Sequence, residues 1–128
     1  MNNIKKLSSN MEDYLEAISF LKSDNKVARV RDISAMLKVK NPSVIAALST
    51  LSKNGYIIHE RYGYIDLTQK GQKKADDIKK KHAILFEFLQ RVLKLDKDTA
   101  KEDACKMEHA ISPATYQKLA KFVGKYDK

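Results

Sequence analysis

Apolar positions recur at helical spacing from residue 11 onward. Met11, Tyr14, Leu15, Ile18 and Leu21 fall on one stripe, which predicts a helix over 10–22. Asn10 is its expected N-cap, with Glu12 in the positive first turn. The period breaks over Ser23-Asp24-Asn25-Lys26, and residues 27–30 read as a short extended piece. Residues 31–37 form a short helix with Ile33, Met36 and Leu37 inward, followed by a turn over 38–41. Pro42 is excluded from a helix interior but favoured at the first helical position. A further helix therefore opens at Asn41/Pro42, runs to about Asn54 and stops at Gly55. Its core face is Val44, Ala47, Leu48 and Leu51.

The period then changes from 3.6 to 2. Residues 56–61 and 64–67 read as two strands of a hairpin, turning at Tyr62-Gly63. Thr68 is the expected N-cap of a long helix over 69–93, with a lysine-rich first half and an apolar second half. A helix over 98–110 follows. Ser112-Pro113 then opens a last helix ending near Val123. The class is mainly α. The order helix, short helix, turn, helix, hairpin over residues 1–70 is that of a winged helix-turn-helix.

Composition fits a folded soluble chain. Of 128 residues, 43% are hydrophobic and 32% charged, and no apolar run approaches the ~20 residues of a membrane span. The start lacks the apolar segment of a signal peptide. A single cysteine, Cys105, rules out an intrachain disulfide framework and points to a reducing cytoplasm. The net charge is +9, and residues 1–81 carry +7 of it. A polyanion, with nucleic acid the commonest soluble one, is the implied partner.

In a winged helix the second helix of the motif enters the major groove and the hairpin reaches the backbone or minor groove. Asn41, Pro42, Ser43, Ile45, Ala46 and Ser49 form the expected reading face, with Lys40 at its entrance. Thr50 and Lys53 are placed for phosphates. Arg29, Arg31 and Lys38 flank the turn, and Arg61 and Tyr62 occupy the wing tip. Few long polar side chains stand on that face. DNA shape is therefore expected to supply much of the specificity.

A second constellation suggests a metal. Asp13 and Glu16 are i and i+3 on the first helix. His82 lies where the long helix turns apolar. Cys105, Glu108 and His109 are i, i+3 and i+4, so one helix face would carry a thiol, a carboxylate and an imidazole. Such a face is costly unless a cation or pairing compensates it. The competing reading makes Cys105 a small core residue among solvated polar groups. A Cys–His nucleophile lacks an oxyanion loop here, and phosphate loops, GxSxG elbows and CxxC pairs are absent, so no enzyme is expected.

Met11-Glu12-Asp13-Tyr14-Leu15-Glu16-Ala17-Ile18 resembles the opening helix of the diphtheria toxin repressor family, especially its manganese transport regulator branch. Pro42-Ser43-Val44, Gly55-Tyr56-Ile57, Leu67-Thr68-Gln69-Lys70-Gly71, His82 and the block from Glu102 through Cys105, Glu108 and His109 to Ser112 match in the same order. The resemblance covers about 10 to 124. It implies a homodimeric, metal-activated repressor of the short form, without a C-terminal SH3-like domain. Residues 71–128 would be its metal-binding and dimerisation domain, sharing the long helix with residues 1–70. Carried over by position, the ligands are Asp13, Glu16, His82, Cys105, Glu108 and His109. The first two resemble the manganese-sensing branch and Cys105 the iron-sensing one. Oxygen ligands favour Mn²⁺, whereas a thiolate favours Fe²⁺, Co²⁺ or Zn²⁺. Phe86, Lys101 and Ala46 depart from family positions that elsewhere hold a carboxylate, a histidine and a base-reading glutamine.

The expectation is a cytoplasmic, homodimeric repressor of metal-homeostasis genes, activated by Mn²⁺ or Fe²⁺ and binding duplex DNA. No membrane and no small-molecule substrate are expected. Dimer contacts are assigned to Leu93, Leu95, Ala104, Ile111, Leu119 and Phe122. The alternatives are a metal-independent winged-helix regulator with a structural or redox-sensing Cys105, and a cytosolic metal-handling protein.

Overall fold

A computed structural model describes residues 7–24, 27–60 and 63–126. The elements are α1 (Ser9–Ser23), β1 (Ala28–Arg29), α2 (Val30–Leu37), α3 (Asn41–Lys53), β2 (Ile57–His59), β3 (Tyr64–Leu67), α4 (Gln69–Glu87), a π-helical turn (Phe88–Val92), α5 (Lys97–Met107) and α6 (Pro113–Lys125). They form two compact units, Met1–Asp76 and Asp77–Lys128, and α4 runs from the first into the second.

In the first unit the apolar stripes of three helices close over a small sheet. Leu15 and Ile18 of α1, Ile33 of α2, and Val44, Leu48 and Leu51 of α3 are all but fully buried. Each such side chain contributes about 1.5–3 kcal/mol of burial. The sheet order is β1-β3-β2, all antiparallel. Ile65 and Leu67 of β3 face this core, while Tyr64 and Asp66 stand on the other face. The pairing of β1, with Ala28 opposite Ile65 and Arg29 opposite Tyr64, adds a third strand to the expected hairpin.

The start of α1 differs from expectation. Ser8, not Asn10, is the N-cap, and its Oγ accepts from the Met11 amide at 3.1 Å. Ser8, Ser9 and Asn10 are all capping residue types, so composition alone does not choose among them. Lys38, with φ of 57°, ends α2 in the left-handed region. The Ser34 hydroxyl donates to the Val39 carbonyl and fixes the turn into α3.

Gly55 ends α3 at φ of 80°. The far end of that helix is gripped by the start of α4. Thr68 Oγ1 donates to the Gly55 carbonyl at 2.6 Å and accepts from the Gly71 amide at 3.0 Å. Lys70 Nζ donates to the Asn54 carbonyl at 2.8 Å and lies 4.4 Å over the Tyr56 ring. Gly71 makes the approach possible, since a Cβ there would stand 2.0 Å from the Tyr56 carbonyl oxygen.

In the second unit Leu85, Leu89, Ala100 and Ala104 form the core, with Leu95, Ile111 and Leu119 packed around it. The long helix is not uniformly α, because it widens to a π turn over Phe88–Val92. There Arg91 pairs with Glu87 at 3.2 Å and donates to the Val123 carbonyl of α6 at 3.0 Å. α5 is capped by Asp96 and stops at Met107, three residues before its expected end. Ala110 and Ile111 fold back on the Met107 carbonyl, clearing the way for the Ser112-Pro113 start. Ala104 is fully buried in this core, so it is not available to a dimer face, whereas Leu93 and Phe122 are exposed.

Candidate nucleic-acid interface and metal centre

Burial of Val44, Ala47, Leu48 and Leu51 turns the opposite side of α3 to solvent. Asn41, Pro42, Ser43, Ile45, Ala46, Ser49, Thr50 and Lys53 are all exposed there. Lys38 and Lys40 are exposed in the turn that enters α3, and Arg31 in the first turn of α2. Arg29 is exposed at the end of β1. Its Nη2 donates to Tyr64 Oη at 3.1 Å, and the guanidinium lies 4.9 Å over the Tyr64 ring. Arg61 and Tyr62 lie outside the described residues. The exposed α3 face is short-chained and partly apolar, with Ile45 54% exposed. Such a face suits thymine methyls and groove shape more than dense base-edge hydrogen bonding.

Asp13 and Glu16 sit half-buried, one turn apart, on α1 in the first unit. The remaining expected ligands belong to the second unit, where His82, Cys105 and Glu108 converge. Their donor atoms all lie within 4.8 Å of one another. His82 Nδ1 is 2.8 Å from Glu108 Oε1 and 3.8 Å from Cys105 Sγ. His109 Nε2 is 3.5 Å from Glu108 Oε2. Phe86, one turn beyond His82, stacks its ring nearly parallel at 6.4 Å.

Cys105, Glu108 and His109 do not all project from one helix face, because α5 ends at Met107. Glu108 retains helical dihedrals as the C-cap, and His109 follows in the turn. Glu108 is 2% exposed, whereas Cys105 is exposed. A carboxylate buried to that degree needs a positive or hydrogen-bonding partner, and two imidazoles flank it. The donor set suits a first-row divalent ion. With metal bonds of about 2.0–2.3 Å, neighbouring donors stand roughly 3–4 Å apart, close to the spacing here.

Two residues make long-range contacts that the sequence pattern does not predict. Tyr64 holds Arg29, a pairing created by the β1–β3 register across 35 positions. Glu12 is buried and pairs with Lys74 of α4 at 3.3 Å. Its place beside the core residues of α1 was the available signal.

Residues 6–65 match the family described as iron dependent repressor, N-terminal DNA binding domain. Residues 68–128 match its metal binding and dimerisation domain. An uncharacterized HTH-type transcriptional regulator of Methanocaldococcus jannaschii is 37% identical over 121 residues, covering 94% of this chain and 97% of that one. The chain belongs to the diphtheria toxin repressor and manganese transport regulator family. The HTH-type transcriptional regulator MntR of Lysinibacillus sphaericus is a further relative, 34% identical over 113 residues, which span 88% of this chain and 81% of that one. The structure of the manganese regulator SloR matches with a TM-score of 0.81 at 27% identity, covering 92% of this chain and 55% of that one. This family member thus spans about half the length of that structure. Its fold is the family's mainly helical, winged-helix fold, and its class is that of metal-dependent, DNA-binding transcriptional regulators rather than enzymes.

Proposed function

We propose that this family member is a cytoplasmic, homodimeric repressor of metal-transport genes. It binds a duplex operator through residues 1–70 and takes Mn²⁺ or Fe²⁺ as co-repressor through residues 71–128. The observation that carries this reading is the convergence of His82, Cys105 and Glu108 in a chain whose α3 leaves a small-residue face exposed between basic groups. No described helix is long and apolar enough to cross a membrane.

The assigned ligands are Asp13, Glu16, His82, Cys105, Glu108 and His109. A divalent ion held by His82, Cys105 and Glu108 would supply the positive charge that lets a carboxylate and a thiolate stand together. The chain's own residues prepare for it. Glu108 is held dry between two imidazoles, and Cys105 keeps a solvent-exposed donor beside them. α4 carries His82 and, at its start, the residues that grip the end of α3. A coupling of about 1–3 kcal/mol between metal and DNA is enough for regulation. On the DNA side, Asn41, Pro42, Ser43, Ala46 and Ser49 meet the groove, and Arg29, Arg31, Lys38, Lys40, Lys53, Arg61 and Tyr62 meet the backbone. The dimer face is assigned to Leu93 and to the groove on α6 lined by Ala114, Lys118, Leu119 and Phe122.

The test is gel retention of a promoter-proximal duplex with Mn²⁺, Fe²⁺ or Zn²⁺ and with chelator. Metal-dependent retention, lost in Glu108→Ala, supports the reading. Retention that chelator and Glu108→Ala both leave unchanged overturns it. The regulator would then be metal-independent, with Cys105 structural or redox-sensing.

A further inference from the structure

Arg29 ends β1 and directly precedes α2, two positions before Arg31. The β1–β3 register sets it opposite Tyr64 on the hairpin strand, and both side chains are exposed, Tyr64 by 37%. Two contacts fix the guanidinium. Its Nη2 donates to Tyr64 Oη at 3.1 Å, and its central carbon lies 4.9 Å over the ring. An exposed arginine on a strand edge would otherwise sample many rotamers. Here the ring face and the phenol oxygen select one.

Tyr64 Oη accepts from Arg29, so its single proton is directed away from that guanidinium. The guanidinium has five N–H groups and uses one on Tyr64. The pair therefore keeps further N–H and O–H donors on both residues. Fixed, forked donors of this kind match the oxygens of a phosphate.

We propose that Arg29 and Tyr64 form a preassembled clamp for one phosphate of the duplex DNA backbone, with Tyr64 both orienting the guanidinium and donating its own O–H. The proposal rests on the DNA-binding reading above. A lysine at position 29 would keep the charge but lose the fork, and a phenylalanine at position 64 would keep the ring but lose both hydroxyl functions.

The experiment uses the full chain with saturating metal and measures dissociation constants against salt concentration, on a promoter-proximal duplex and on one of unrelated sequence. Tyr64→Phe is expected to weaken both complexes about tenfold, the effect of losing one charge-assisted hydrogen bond. Its salt slope stays at the wild-type value, because no charge is removed. Arg29→Lys behaves likewise. Arg29→Ala lowers the slope by about one unit. Tyr64→Phe added to Arg29→Ala brings a smaller further loss than in the wild-type background, because the orienting share of the tyrosine acts through Arg29 and only its own O–H contact remains. A melting temperature unchanged in Tyr64→Phe separates the clamp from a purely structural staple between β1 and β3. Wild-type affinity in Tyr64→Phe, or an equal loss with and without Arg29, overturns the clamp alone. A wild-type chain that retains no duplex under any metal condition removes the DNA-binding reading and the clamp with it.

Discussion

Glu12 of α1 and Lys74 of α4 meet at 3.3 Å, with the glutamate side chain only 9% exposed and the lysine 32%. The pair ties α1, which carries Asp13 and Glu16, to the first half of α4. Removing one member of a buried pair is more damaging than removing both. Lys74→Met should therefore lower stability by about 1–3 kcal/mol, a range reduced for the partial exposure of the lysine. Glu12→Leu combined with Lys74→Met should lower it less. Urea unfolding followed by circular dichroism checks the order, and a neutral Lys74→Met would show that Glu12 is compensated by other contacts.

Cys105 is the soft donor in a set otherwise made of oxygen and imidazole. Fe²⁺, Co²⁺ and Zn²⁺ gain more than Mn²⁺ from a thiolate bond. The wild type should respond to Fe²⁺ or Co²⁺ at least as well as to Mn²⁺, and Cys105→Glu should move the ranking toward Mn²⁺. Bound Co²⁺ should give a thiolate charge-transfer band in the near ultraviolet. Absence of that band, with an unaltered ranking in Cys105→Glu, would take Cys105 off the ligand list.

Gly71→Ala probes the grip on α3. The added methyl would stand 2.0 Å from a backbone oxygen of Tyr56, which has no flexible end to move aside. Overpacking against backbone of this kind costs about 1–3 kcal/mol. Thermal unfolding should show the loss. A variant as stable as wild type would mean that α4 shifts freely at its start.

Asp66 supplies a pH dependence. Its hydrogen bond with Lys22 of α1 is the main influence holding its carboxyl below the ordinary value, assisted by the Leu67 amide and opposed by partial desolvation. A lowered folded-state value means that ionised Asp66 stabilises the fold above the unfolded value of about 3.9, and that the gain is lost as pH falls through the folded value. Both side chains are more than a third exposed, so the gain is at most about 1 kcal/mol. Asp66→Asn should be slightly less stable than wild type at pH 7, with the gap closing below about pH 4. A gap that persists at pH 2 would assign the loss to the side chain's packing.

Local chemistry made much of this fold legible. Pro42 opens α3, Gly55 closes it, and Ser112-Pro113 opens α6, each through a conformational preference of the residue itself. His82, Cys105 and Glu108 were visible as residue types and spacings, and the structure brings their donor atoms together. What escaped depends on distant partners. The extended piece at 27–30 was legible, but its pairing with β3 was not, and Arg29 meets Tyr64 only through that register. Lys74 reads as one member of a solvated lysine run, yet Glu12 lies against it. The π turn at Phe88–Val92 and the end of α5 at Met107 follow from how the helices of the second unit pack and reverse, which a 3.6-residue period does not encode.

The grip of α4 on α3 also bears on which amides exchange with solvent together. Thr68 donates its own amide to the Tyr56 carbonyl at 3.1 Å, and the Tyr56 amide bonds back to Leu51 at 3.0 Å. Helix ends ordinarily fray at little cost, but here the last turn of α3 cannot open without breaking the first turn of α4. Deuterium uptake at the amides of Tyr56, Thr68 and Gly71 should therefore follow a single opening event. The helix offered to DNA would remain whole until its neighbour begins to unwind.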